Sequence, residues 1–181
     1  MVYLALLRGI NVGGNNKIAM QDLQKLFEDL GFNNVVTYIN TGNIIFSSNK
    51  YDQSAIVQDL ELAIISKFNL NIKVITRSYA NITELVDMLP DDWQNDKQVK
   101  SDVMFLWPES DSKSVLSELT IKDFDRVIYA SGAVLWSVDR ADQGRSGMGK
   151  LVGTKLYKQM TIRNVNTARK LFEIMKQASE S

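Results

Sequence analysis

At 181 residues the chain can bury most of its apolar surface without covalent staples, as one large domain or two small ones. It contains no cysteine and no histidine, which excludes disulfides, thiolate nucleophiles, cysteine-built zinc sites and any serine–histidine or cysteine–histidine mechanism carried by this chain alone. The formal net charge at pH 7 is zero, yet from residue 140 onward nine Lys/Arg stand against three Asp/Glu, and before it twelve stand against eighteen. The basic C-terminal portion suits an external anion or the acidic remainder of its own chain; self-complementarity is preferred, because nucleic-acid binders are usually basic over the whole domain.

In chain order, Val2–Leu7 is an apolar run of strand length, with no basic leader ahead of it and no cleavage site after it. No stretch approaches the roughly 20 apolar residues of a membrane span, so a soluble, cytoplasmic protein without membrane contact is expected. A Gly/Asn-rich loop follows at residues 9–17. Then Met20, Leu23, Phe27 and Leu30 recur at helical spacing, with Gly31 placed to end the helix. "VVTYI" and "IIFSS" are β-branched runs separated by Asn40-Thr41-Gly42-Asn43, a hairpin. A second helix runs from about Asp52 with Ile56, Leu60, Ile64 and Phe68 inward, and "IKVIT" supplies a fourth strand. The order β-α-β-β-α-β is the split β-α-β, or ferredoxin-like, plan.

The second half reads as an approximate repeat. Asn81-Ile82-Thr83-Glu84 has the pattern of a capping box opening a connecting helix that ends near Pro90, before the polar loop "DDWQNDKQ". "SDVMFLW" is expected as a strand, "SKSVLSEL" as a helix, "RVIYA" and "AVLWSV" as a hairpin across Ser131-Gly132, and "GTKLYKQM" as a helix. A last helix carries Val165, Ala168, Phe172 and Met175 on one face. The expected fold is α+β, with two ferredoxin-like (α-β plait) subdomains: residues 1–77, a helical linker at 78–99, and residues 100–181 as a copy with a degenerate last strand and a C-terminal helix. No residue-level repeat links the halves.

That plan makes strands one and three neighbours, so the loop at residues 9–17 and the hairpin turn at residues 40–43 must share one end of the subdomain. Arg8, Asn11, Gly13, Gly14 and Lys17 then meet Thr41, Gly42 and Asn43. The following helix adds its positive end, a place for a phosphate or carboxylate. Gly9 and Gly14 have P-loop spacing, but Asn15 and Asn16 occupy the Lys and Ser/Thr positions; the dinucleotide fingerprint is also missing. Gly13, Gly14 and Gly42 therefore serve either an anion cradle or only tight turns.

Other patterns are weaker. "GRSGMG" at residues 144–149 imitates a nucleophile elbow, but Met148 replaces a glycine and no histidine exists, so a flexible loop is expected. Ser47/Lys50 and Ser110/Lys113 have serine–lysine spacing of a kind common by chance. Asp91, Asp92 and Asp96 read as a solvated linker rather than a cation site, and no metal is expected. Tyr3, Phe46, Tyr129 and Trp136 fall on strands without an RNA-recognition signature and read as core. Arg163, Asn164 and Thr167 open the last helix, with Asn164 as its N-cap and the other two available for a ligand.

"LLRGINVGGNNKIAMQDL", "GFNNVVTYINTGNIIFSS" and "TIRNVNTARKL" together resemble the bacterial DUF1697 family, whose members carry an RGINVGG loop, a TYI-Q-SGN hairpin and a TxRNxxT segment. The resemblance implies two ferredoxin-like subdomains and no established activity. It marks Arg8, Gly9, Asn11, Gly13, Gly14, Lys17, Thr37, Tyr38, Gly42, Asn43, Thr161, Arg163, Asn164 and Thr167. Here Asn40-Thr41 stands where the family usually has Gln-Ser, which keeps an amide and a hydroxyl; residues 140–150 match less clearly.

The expectation is a protein binding an anionic small molecule, a nucleotide or phosphate ester, at Arg8, Asn11, Gly13, Gly14, Lys17, Thr41, Gly42, Asn43, Arg163, Asn164 and Thr167. The alternatives are nucleic-acid binding through the basic C-terminal segment, an enzyme using Lys or carboxylate chemistry, and a protein-interaction scaffold. No cofactor, reaction or oligomeric state follows from the sequence.

Overall fold

The computed structural model describes residues 1–50 and 52–180, and has a mixed α+β fold with two four-stranded antiparallel sheets. The first six elements are β1 (Val2–Leu7), α1 (Met20–Asp29), β2 (Asn33–Tyr38), β3 (Asn43–Ser47), α2 (Gln53–Phe68) and β4 (Val74–Ser78). They form a sheet in the order β2-β3-β1-β4. Then come α3 (Tyr79–Asp87), β5 (Val99–Leu106), β6 (Arg126–Ala130), β7 (Ala133–Asp139), β8 (Met160–Asn164) and α4 (Val165–Ser179). Their sheet runs β6-β7-β5-β8, so each sheet has its second, third, first and fourth strands in that order. The chain divides into two compact units, residues 1–80 with the chain from Leu171 onward, and residues 81–170.

In the first unit Tyr3, Ala5 and Leu7 of β1 and Ile44 and Phe46 of β3 project to one face of the sheet, as strand periodicity requires. Leu23 and Phe27 of α1 and Ile56, Leu60 and Ile64 of α2 close over them. Phe46 is the hub, its ring centroid 5.3 Å from Phe27, 4.7 Å from Phe32 and 5.7 Å from Tyr3. Helix α2 is capped by Asp52, whose carboxylate accepts from the amides of Ser54 (2.9 Å) and Ala55 (3.4 Å). In the second unit Trp136, Met104, Val134 and Val138 pack with Met148, Leu151, Leu156 and Met160.

Four expectations need correction. "SKSVLSEL" forms only a 3-10 turn, Lys113–Glu118, because its serines bond locally: Ser117 Oγ donates to the Ser114 carbonyl (2.7 Å) and Ser114 Oγ to Ser112 Oγ (3.0 Å). "GTKLYKQM" likewise gives a short 3-10 turn, Leu156–Gln159, before the chain extends at Met160. The last strand is not degenerate, since β8 pairs with β5 from Asp102↔Asn164 to Leu106↔Met160. Arg163 thus lies on a strand and not at the start of the last helix. Finally, Asn81 does not cap α3, which begins two residues earlier at Tyr79, whose ring stacks on Phe172 at 5.9 Å.

Candidate functional site

β1 and β3 pair with Leu6 opposite Asn43, and the Leu7 amide donates to the Gly42 carbonyl (2.9 Å). The loop leaving β1 and the turn between β2 and β3 therefore meet at one end of the first sheet. Asn11 joins them. Its Nδ2 donates to the carbonyls of Ile18 (2.9 Å) and Asn40 (2.8 Å), while its Oδ1 accepts from the Ile18 amide (2.9 Å). Asn16 closes the loop on itself, donating from Nδ2 to the Gly9 carbonyl (3.0 Å), and its own carbonyl accepts from the Asn11 amide (3.2 Å).

This compact path needs left-handed backbone at Gly9, Asn11, Gly13, Gly14 and Asn16, which are glycine or asparagine, the residue types that tolerate it. On the other side of the rim Asn43 is fully buried, its Nδ2 donating to the Tyr38 carbonyl and to Thr41 Oγ1, both at 3.0 Å. Its amide holds the hairpin turn and does not face solvent.

Between loop and turn opens a cleft of about 470 Å³, lined by Asn11, Gly14, Lys17, Ile18, Ala19, Met20 and Asn40. It contains the start of α1. The N-cap residue is Ala19, which has no side-chain acceptor for the first-turn amides. An uncapped helix start is a partial positive charge, and Lys17, exposed on the same rim, adds a full one. The cleft thus combines donors and cationic character with a partly apolar floor of Ile18, Ala19 and Met20.

Of the residues singled out in the sequence, Asn11, Gly14 and Lys17 line this cleft. Gly13 is exposed in the same loop; Thr41, Gly42 and Asn43 build the adjoining turn. Arg8, half-buried at the end of β1, holds the β4 side through its amide, which donates to the Lys73 carbonyl (2.9 Å). Arg163, Asn164 and Thr167 belong to the second unit. Arg163 is buried, donating from Nη1 to Thr161 Oγ1 (3.0 Å) and the Ile162 carbonyl (2.8 Å), and burial pulls its guanidinium down to about 10. Asn164 Oδ1 accepts from the Thr167 amide (2.9 Å), so Asn164 caps α4 as its position suggests.

Ile18, Ala19, Met20 and Asn40 were not among the expected site residues. A signal for them existed: Ala19 stands just before the helical period begins, where Ser, Thr, Asp or Asn would have sealed the helix end. "GRSGMG", expected as a flexible loop, forms turns that lead into a 3-10 turn from Gly147 and is tied to Asp125. Ser146 Oγ donates to Asp125 Oδ1 (2.5 Å), the Gly147 amide to Asp125 Oδ2 (3.0 Å), and Gly147 packs so tightly on the Thr120 carbonyl that a Cβ would lie 1.4 Å from its oxygen. Burial pushes the Asp125 carboxyl up, but the hydrogen bonds from Ser146, Lys122 and Gly147 outweigh it and hold the group below its usual value. Among the described residues no group of three or more Asp/Glu is arranged to hold a metal ion, and no helix is long and apolar enough to cross a membrane.

A family model described as a protein of unknown function, DUF1697, matches residues 1–136, a span that includes the cleft and ends within β7 before Arg163. No curated protein matches the chain. Among solved structures, a conserved bacterial protein, SP0830 from Streptococcus pneumoniae, is similar at 26% identity and a TM-score of 0.83, over 96% of this chain and 98% of that one.

Proposed function

We propose, for a chain that belongs to the DUF1697 family of proteins of unknown function, that the cleft of the first unit binds an anionic small molecule of the nucleotide or phosphate-ester class. One observation carries this reading: the uncapped start of α1 opens into a cleft that also holds Lys17 and the Gly14 backbone. A phosphoryl group placed there receives the first-turn amides of α1 and the Lys17 ammonium, the combination that makes helix starts anion sites. The apolar floor at Ala19 and Met20 takes the neutral body of the ligand. Asn11, Gly42 and Asn43 act as positioning residues, since their polar groups hold loop and turn together. Arg8 supplies a second positive charge at the root of the loop.

We also infer that the first unit is a ferredoxin-like plait and the second a degenerate copy of it, a reading supported by the shared strand order of the two sheets and by the 3-10 turns that stand where the second copy would have its crossover helices. The bacterial source of the similar structure supports a bacterial protein, and a phosphorylated ligand suits the cytoplasm.

The test is thermal unfolding with a panel of nucleotides and phosphorylated metabolites at millimolar concentration. A ligand at a hundred times its Kd adds about 2.7 kcal/mol, roughly 5 to 10 °C for a chain of this size. The expected result is such a shift with at least one phosphate ester, lost in Lys17→Ala. No shift with any compound, or an undiminished shift in that variant, overturns the assignment.

A further inference from the structure

From residue 143 to residue 172 the chain has seven Lys/Arg and no Asp or Glu. The fold separates six of these cations, all but Lys170, by their surroundings. Arg163 is buried, and Arg169 donates to the carbonyls of Trp93 (2.6 Å) and Pro90 (2.7 Å). Arg145 is exposed, pairs with Asp142 and lies over the Phe124 ring at 5.2 Å. Lys150, Lys155 and Lys158 are exposed and form no ion pair among the described residues.

The segment that carries those three lysines is anchored through its buried side chains. Met148, Leu151, Leu156 and Met160 are all buried in the second unit's core, so the intervening Lys150, Val152, Lys155 and Lys158 are left on the solvent side. Two 3-10 turns, Gly147–Leu151 and Leu156–Gln159, are joined by a bend in which the Thr154 amide donates to the Leu151 carbonyl (3.1 Å). The N-terminal end is fixed by Asp125, through Ser146 and Gly147, and by the contact of Gly147 with Thr120. Three ammonium groups are thereby presented within nine residues of anchored backbone.

We propose that this ledge, Lys150, Lys155 and Lys158, docks the phosphate backbone of a nucleic-acid duplex. Three exposed cations without an ion pair on one anchored segment offer contacts to phosphates, and such contacts position a protein without reading sequence. Stretches of single-stranded nucleic acid are gripped by aromatic stacking platforms; here Tyr157 is half-buried against the core and no other aromatic residue lies between residues 145 and 158. A membrane surface fits less well, because the ledge exposes a single large apolar side chain, Val152.

The experiment is fluorescence anisotropy of the full chain with a labelled 20-base-pair DNA duplex, the single strand of the same sequence, and vesicles of phosphatidylserine and phosphatidylcholine. Neutralising three phosphates predicts that raising salt from 50 to 200 mM weakens duplex binding about 40-fold, falling to about 12-fold in each single variant Lys150→Ala, Lys155→Ala or Lys158→Ala. The triple variant loses binding while its circular dichroism stays unchanged, and Lys25→Ala, an exposed lysine of α1 in the first unit outside both sites, binds the duplex as wild type does. No duplex binding at 50 mM salt, binding that survives the triple substitution, tighter binding of the single strand, or vesicle binding without duplex binding overturns the proposal.

Discussion

A Cβ added at Gly42 would lie 2.8 Å from the Cβ of Leu7 and 2.9 Å from Ile10 Cδ1, in a backbone at φ +78°. Both the left-handed conformation and the close approach of β1 therefore demand glycine. Gly42→Ala is expected to lower stability by about 2 to 4 kcal/mol, strain and overpacking together, measured by urea unfolding followed by far-UV circular dichroism. A loss under 1 kcal/mol would mean that the turn is looser than described. Gly42 was recognisable in the sequence as a hairpin glycine, but not as a packing glycine, because Leu7 and Ile10 come against it only when β1 and β3 pair. The buried amide of Asn43 has the same history: its residue type suggested a ligand contact, and the fold directs it to Tyr38 and Thr41.

At the scale of elements, the contact between loop and hairpin depends on one side chain. Asn11 makes three hydrogen bonds that no residue without both a donor and an acceptor can replace. Asn11→Ala should cost about 2 to 3 kcal/mol and expose the Ile18 amide to hydrogen exchange, while Asn11→Asp keeps only the acceptor half. Unchanged exchange at Ile18 in the alanine variant would show that the rim does not rely on Asn11. The convergence of loop and turn was legible in the sequence because strand order follows from the β-α-β-β-α-β pattern and the handedness of crossovers. The second unit was less legible. Hydroxyl-rich segments whose apolar spacing fits a helix, such as residues 112–119, settle into 3-10 turns when side-chain oxygens bond the neighbouring backbone.

At the scale of the molecule, all three tryptophans, Trp93, Trp107 and Trp136, lie in the second unit, so tryptophan fluorescence reports on that unit by itself. Asp125 anchors the lysine ledge there, and its carboxyl is held below its ordinary value. A group depressed in the folded state contributes stability above its unfolded pKa of about 3.9, and that contribution disappears as pH falls through the folded value. Between pH 5 and pH 2 the tryptophan-detected stability of the wild type should therefore drop more steeply than that of Asp125→Asn; parallel profiles would remove Asp125 from the acid transition.

By itself the sequence determined the alternation of elements in the first unit, the exclusion of thiol and imidazole chemistry, and the meeting of the loop at residues 9–17 with the turn at residues 40–43. These depend on periodicity, composition and chain order, which are local properties. Only the tertiary structure decided which polar side chains turn inward and which donors stay open: Asn11 and Asn43 became internal fasteners, Ala19 left a helix start unsealed, and Lys150, Lys155 and Lys158 were set apart from Arg163 and Arg169. Those outcomes depend on burial and on partners far away in the chain, and neither exists until the sheets have formed.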